Sequence, residues 1–85
     1  MSTNIYVGNL AFSTDSAALR TLFADHGEVS SAQVITDRDT GRSRGFGFVE
    51  LADDELAGKA IGRLDGYDWN GRRLTVNKAR PRVAR

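Results

Sequence analysis

Eighty-five residues leave room for one small domain. With 40% apolar and 27% charged residues, the composition is that of an ordinary folded module, which argues against a disordered chain. The absence of cysteine excludes a disulfide framework, a thiolate metal site and a cysteine nucleophile together, and the net charge is only +1. That charge is unevenly spread. Met1 to Gly71 holds six basic against eleven acidic residues, whereas Arg72 to Arg85 holds six basic residues and no acid. A second basic cluster, Arg38, Arg42 and Arg44, interrupts the acidic part. Such asymmetry fits a polyanionic partner meeting one face or end, and on charge alone a solvated tail fits as well. The chain has no apolar run near the ~18 residues of a membrane span, and Met1-Ser2-Thr3-Asn4 lacks signal-peptide character. The expectation is a cytoplasmic protein with no membrane partner.

In chain order, Asn4 to Val7 reads as a strand closed by Gly8-Asn9. Ser13 and Thr14 are candidate N-caps, with Asp15 in the first turn of a helix. Leu19, Leu22 and Phe23 form that helix's apolar stripe, and Gly27 is placed to end it. Val29 to Asp37 is a second strand, rich in β-branched residues, and Arg38 to Ser43 a polar loop. Arg44 to Leu51 is a third strand. Asp53-Asp54-Glu55 opens a second helix with the stripe Leu56, Ala57, Ala60, Ile61 and Leu64, stopped by Gly66. After a loop around Asn70-Gly71, Arg73 to Asn77 alternates as a fourth strand, and Pro81 ends the regular structure. The order β-α-β-β-α-β predicts an α+β, ferredoxin-like sandwich with an antiparallel four-stranded sheet and both helices on one face.

Strand side chains alternate between faces. The face carrying Ile5, Val7, Val49, Leu51, Leu74 and Val76 suits the helices, and Gly45 and Gly47 would let a helix approach. The opposite face then carries Tyr6, Phe46 and Phe48 among Arg44, Gln33, Thr75 and Asn77. Treating those aromatics as core would need a one-residue slip that sends Ile5, Val7, Val49 and Leu51 to water. The functional reading is a stacking platform on which bases lie against rings at ~1–3 kcal/mol each, with an arginine near the phosphate.

At these residues the chain resembles the RNA recognition motif family. Arg44-Gly45-Phe46-Gly47-Phe48-Val49-Glu50-Leu51 matches the family's octamer at every fixed position but the last, and Ile5-Tyr6-Val7-Gly8-Asn9-Leu10 is similar to its hexamer. The resemblance covers about residues 4 to 80 and implies a domain over 1–81 with a short basic tail at 82–85. It implies stacking by Tyr6, Phe46 and Phe48, a phosphate contact by Arg44, and further contacts from Asn4, Gln33, Ile35, Thr75, Asn77, Lys78 and Arg80. It also implies single-stranded RNA as partner, single-stranded DNA as a weaker one, no cofactor or metal, no catalysis, and a monomer. The chain is similar to small single-domain bacterial members and to the core of plant glycine-rich ones. Leu51 departs from the octamer's closing aromatic, and alternation turns it toward the core. His26 stands where the family usually has an aromatic, and packing or capping is its expected role.

Other chemistry finds little support. The glycines lack Walker spacing and do not precede a helix. Asp53, Asp54 and Glu55 suit a helix dipole better than a metal, and Asp37 and Asp39 suit Asx-type hydrogen bonds. Trp69 is expected mostly in the core. A protein-interaction module is the alternative function, since a fold alone does not fix one.

Overall fold

The structure, a computed structural model, describes residues 3–69 and 71–79. Expectations about Asn70, Arg80, Pro81 and the tail lie outside them. The elements are β1 (Thr3–Gly8), α1 (Ser16–Ala24), β2 (Val29–Thr36), β3 (Ser43–Leu51), α2 (Asp54–Leu64), β4 (Asp68–Trp69), β5 (Arg72–Arg73) and β6 (Thr75–Lys78). One antiparallel sheet runs β2-β3-β1-β6, and β4 pairs with β5 in a separate hairpin. This is the ferredoxin-like α+β fold that the pattern predicts, with β6 as the fourth sheet strand.

The hairpin is an addition to the prediction. Asn-Gly between alternating residues is a two-residue hairpin signal, and Gly71 has φ +79°. Arg73 consequently leaves the main sheet and pairs with Asp68.

The predicted inner face is the core. Ile5, Val7, Val49, Leu51, Leu74 and Val76 are all buried, joined by Leu19 and Phe23 of α1 and Ala57, Ala60 and Leu64 of α2. Each large side chain buried this way contributes roughly 1.5–3 kcal/mol. Leu51 is fully buried, as alternation requires. Trp69 is half-buried against the core. Leu56 departs from the expected stripe: it is 36% exposed, at the margin of α2's buried face, where it covers Gly27.

The helix ends show what caps them. Asp15, not Ser13 or Thr14, is the N-cap of α1, its carboxylate accepting from Ala18 N at 2.8 Å. A carboxylate at that point also suits the positive end of the helix dipole. Asp53 caps α2 by accepting from Glu55 N and Leu56 N, with Asp54 and Glu55 in the first turn as expected. Gly66 has φ +82° beyond α2, the left-handed conformation that ends a helix cheaply. Gly27 does not act that way. It lies outside the left-handed region, and a β-carbon there would meet Leu56 Cβ at 3.3 Å, so close packing explains it. His26 is half-buried, and its backbone N–H donates to Phe23 O.

Side chains also reach the two outer strands. Val34 N of β2 donates to Ser16 Oγ at 2.9 Å, and Val76 N of β6 donates to Asp65 Oδ1 at 3.1 Å. Thr3 Oγ1 donates to Asp54 Oδ1, tying β1 to α2.

Candidate nucleic-acid interface

The register of the sheet lines up the side chains of its uncovered face. Gln33 of β2 lies opposite Phe48, Phe48 opposite Tyr6, and Tyr6 opposite Asn77. One row therefore crosses all four strands with two rings at its centre and an amide at each end. In the next row Phe46 lies opposite Gly8, and Gly8 opposite Thr75. Asn4 faces Glu50, which faces Ser31, on the other side of the rings.

The rings touch before any ligand arrives. Tyr6 lies 5.9 Å from Phe46 and 5.9 Å from Phe48, and Phe46 lies 6.0 Å from Phe48. Pairs at such separations gain about 0.5–1.5 kcal/mol beyond area burial, so the cluster is set in place. It is still accessible: Phe48 is 36% exposed, and Tyr6 and Phe46 are half-buried.

Gly8 shapes this surface. A β-carbon there would stand 2.5 Å from Tyr6 Oη and 2.9 Å from its Cε2 and Cζ. The Tyr6 ring thus leans along β1 and lies over the space a side chain at Gly8 would need. Sequence reasoning saw Gly8 only as a turn residue.

Gly47 and Gly45 serve different ends. At Gly47 a β-carbon would meet Gln33 O at 2.5 Å, Val34 Cα at 3.1 Å and Leu19 Cδ2 at 3.1 Å, so its absence brings α1 and β2 close to β3. Gly45 does not admit a helix. Its φ is +83°, and the β2–β3 register shifts between Val34 and Thr36, making it part of an irregularity in β3. That break interrupts simple alternation, so Arg44 is an exposed rim residue next to Phe46's strand end rather than a position fixed by parity.

The other expected site residues divide by register. Gln33, Thr75 and Asn77 are exposed on the ring face, Asn4 is exposed at its margin, and Ile35 is half-buried beside Phe46's row. Lys78 is exposed but lies opposite Ile5, in the register of the helix-facing residues, so it is not brought to the rings. Arg80 lies outside the described residues.

Asn9 is a structural latch that sequence reasoning left as a turn. It holds φ +61°, donates from Nδ2 to Arg73 O at 2.7 Å, and accepts from Arg72 Nη2 at 2.8 Å. The β4–β5 hairpin is thereby tied to the end of β1, and Arg72 is occupied. Asp37 likewise holds its loop: Oδ1 accepts from Asp39 N and Thr40 N, the Asx pattern expected there. Among the described residues no group of His, Asp and Glu side chains could hold a metal. Phe12, absent from the sequence-based candidates, is 72% exposed.

Comparison with known proteins shows the family and the fold. The family model described as RNA recognition motif matches residues 5–75. RbpD of Nostoc sp. is 54% identical over 78 residues, covering 92% of this chain and 83% of the relative. The mitochondrial glycine-rich RNA-binding protein 2 of Arabidopsis thaliana is 51% identical over 82 residues, covering 96% of this chain and 52% of the relative. Among solved structures, the crystal structure of RNA binding protein PG1 matches with a TM-score of 0.92 at 49% identity, covering 96% of this chain and 99% of that one.

Proposed function

Because the chain belongs to the RNA recognition motif family, whose members are binding modules and not enzymes, we propose that it binds single-stranded RNA by stacking bases on Tyr6, Phe46 and Phe48. The observation that carries this reading is the triangle of rings, each about 6 Å from the other two, on the sheet face that no helix covers. Rings so placed accept any base, since every base has a π-face. Gln33 and Asn77, at the ends of the Phe48–Tyr6 row, offer amide donors and acceptors to base edges, and Thr75 a hydroxyl. Their few contacts give modest sequence preference. Arg44 at the rim meets the phosphate chain. Single-stranded DNA, lacking the 2′-hydroxyl, is a weaker ligand, and capture of unpaired bases gives the domain a capacity to open RNA hairpins.

The test is fluorescence anisotropy of a labelled random single-stranded RNA with native protein and with Phe46→Ala/Phe48→Ala, at two salt concentrations. Loss of both stacks removes roughly 1–3 kcal/mol each. The native salt slope is about −0.7 per phosphate contacted. A folded double variant that binds like the native protein would refute the platform.

A further inference from the structure

One charge on the ring face runs against the binding of a polyanion. Among the described residues of the four sheet strands, Glu50 is the only acid. It stands between buried Val49 and Leu51, so alternation turns it to the side of the rings. It is half-buried there, two residues beyond Phe48 and about 6.7 Å further along β3. A carboxylate in that place repels every phosphate that comes near it. The octamer pattern leaves this position open, so the resemblance does not call for an acid.

Its neighbours give the carboxylate a use. Glu50 lies opposite Asn4 of β1 and Ser31 of β2, both exposed. This row runs directly beside the one that holds Gln33, Phe48, Tyr6 and Asn77. A carboxylate only accepts hydrogen bonds, whereas the Asn4 amide and the Ser31 hydroxyl also donate. Its two oxygens carry about four lone-pair sites, so a partner within the protein still leaves acceptors for a ligand.

The four bases meet such a row differently. Guanine has two adjacent donors on its Watson–Crick edge, N1–H and N2–H₂, which match the two oxygens of a carboxylate. Its O6, next to N1, accepts from an amide or a hydroxyl. Cytosine and adenine offer one amino donor beside a ring nitrogen that accepts. Uracil offers one N–H between two carbonyls. In each of those three, a lone pair of the base faces the carboxylate and is left unpaired.

We infer that Glu50 selects guanine for the base stacked on Phe48, accepting from N1–H and N2–H₂ while Asn4 or Ser31 donates to O6. This selection rests on the platform reading above and specifies the base that one of its rings prefers.

The experiment is anisotropy with labelled uridine tracts of about eight nucleotides, carrying one central guanosine, one central inosine, or neither. Native protein is compared with Glu50→Gln and Phe46→Ala/Phe48→Ala, each shown to be folded by circular dichroism. Native protein binds the guanosine RNA roughly 5- to 150-fold more tightly than the all-uridine RNA, as a bidentate pair should. Inosine keeps N1–H and O6 and lacks the amino group, so its RNA falls between the two. In Glu50→Gln the guanosine preference shrinks to within about twofold, while the all-uridine RNA binds as well as before or better, because a repulsive charge is gone. A native-sized preference in Glu50→Gln overturns the assignment. An equal loss of affinity for both RNAs overturns it too, since Glu50 would then act on the sheet and not on a base. The inosine RNA tests the pairing without altering the protein: binding as tight as that of the guanosine RNA means that N2–H₂ makes no contact, and the assignment falls. If native protein shows no guanosine preference while the double variant binds both RNAs more weakly, selection fails and the platform stands. If the double variant binds both as the native protein does, the platform fails and selection falls with it.

Discussion

Gly8 and Gly47 present the same overlap to an added methyl group, and the two substitutions have opposite consequences. In Gly8→Ala the new β-carbon meets Tyr6 Oη at 2.5 Å and two further ring carbons at 2.9 Å. The obstacle is the far end of a side chain on the solvent face, so the ring swings aside. An off-rotamer tyrosine costs about 0.5–1.5 kcal/mol, and the fold survives. The stack on Tyr6 is what is lost, about 1–3 kcal/mol of RNA affinity, or roughly 5- to 150-fold. In Gly47→Ala the obstacle at 2.5 Å is the backbone carbonyl of Gln33, with Val34 Cα at 3.1 Å behind it. Relief requires β2 to separate from β3, an overpacking cost near the upper end of the usual range, about 3 kcal/mol. For a domain of this size that lowers Tm by roughly 12–24 °C. Thermal unfolding followed by circular dichroism, paired with RNA anisotropy at a temperature where both variants are folded, separates the two effects. The reasoning fails if Gly8→Ala destabilises as much as Gly47→Ala, or if its RNA affinity stays within about twofold of native.

Gly62→Ala should act in the opposite sense: the position is exposed in α2 with nothing within 4 Å of an added β-carbon, so stability rises by about 0.5–1 kcal/mol in urea titration. Asp53→Ala removes the acceptor for two N–H groups at the start of α2 and should cost about 1 kcal/mol by the same measurement. Asn9→Ala combines a left-handed backbone with lost hydrogen bonds to the hairpin, for about 2 kcal/mol, and Asn9→Gly should recover about half by relieving the backbone alone.

The fold was legible because period-2 and helical patterns each placed their apolar residues on one side. Ile5, Val7, Val49, Leu51, Leu74 and Val76 went inward as a set, and that set fixed Tyr6, Phe46 and Phe48 on the other face. What the pattern missed depends on contacts between distant segments. Asp15 takes the cap because the chain turns at Ala11–Thr14 and buries Thr14, which removes the nearer candidate. The roles of Asn9 and Gly8 depend on Arg73 and on the tilt of one ring, neither of which periodicity encodes. Gly45 and Gly47 look alike in sequence and differ in φ and in what an added β-carbon would meet. Phe12 falls in a connection with no period to assign it a face, although an aromatic among Ala11, Ser13 and Thr14 was a signal worth weighing.

The bonds from Ser16 to Val34 N and from Asp65 to Val76 N carry a consequence for the domain's company. β2 and β6 are the margins of the sheet, where unpaired amides invite a foreign strand to add on. At each margin one such amide is taken by a side chain next to a helix, Ser16 at the start of α1 and Asp65 just beyond α2. A strand joining at either place must first displace that oxygen. A protein with an exposed aromatic face thus keeps two guarded borders, which directs association toward the rings and away from sheet-to-sheet aggregation.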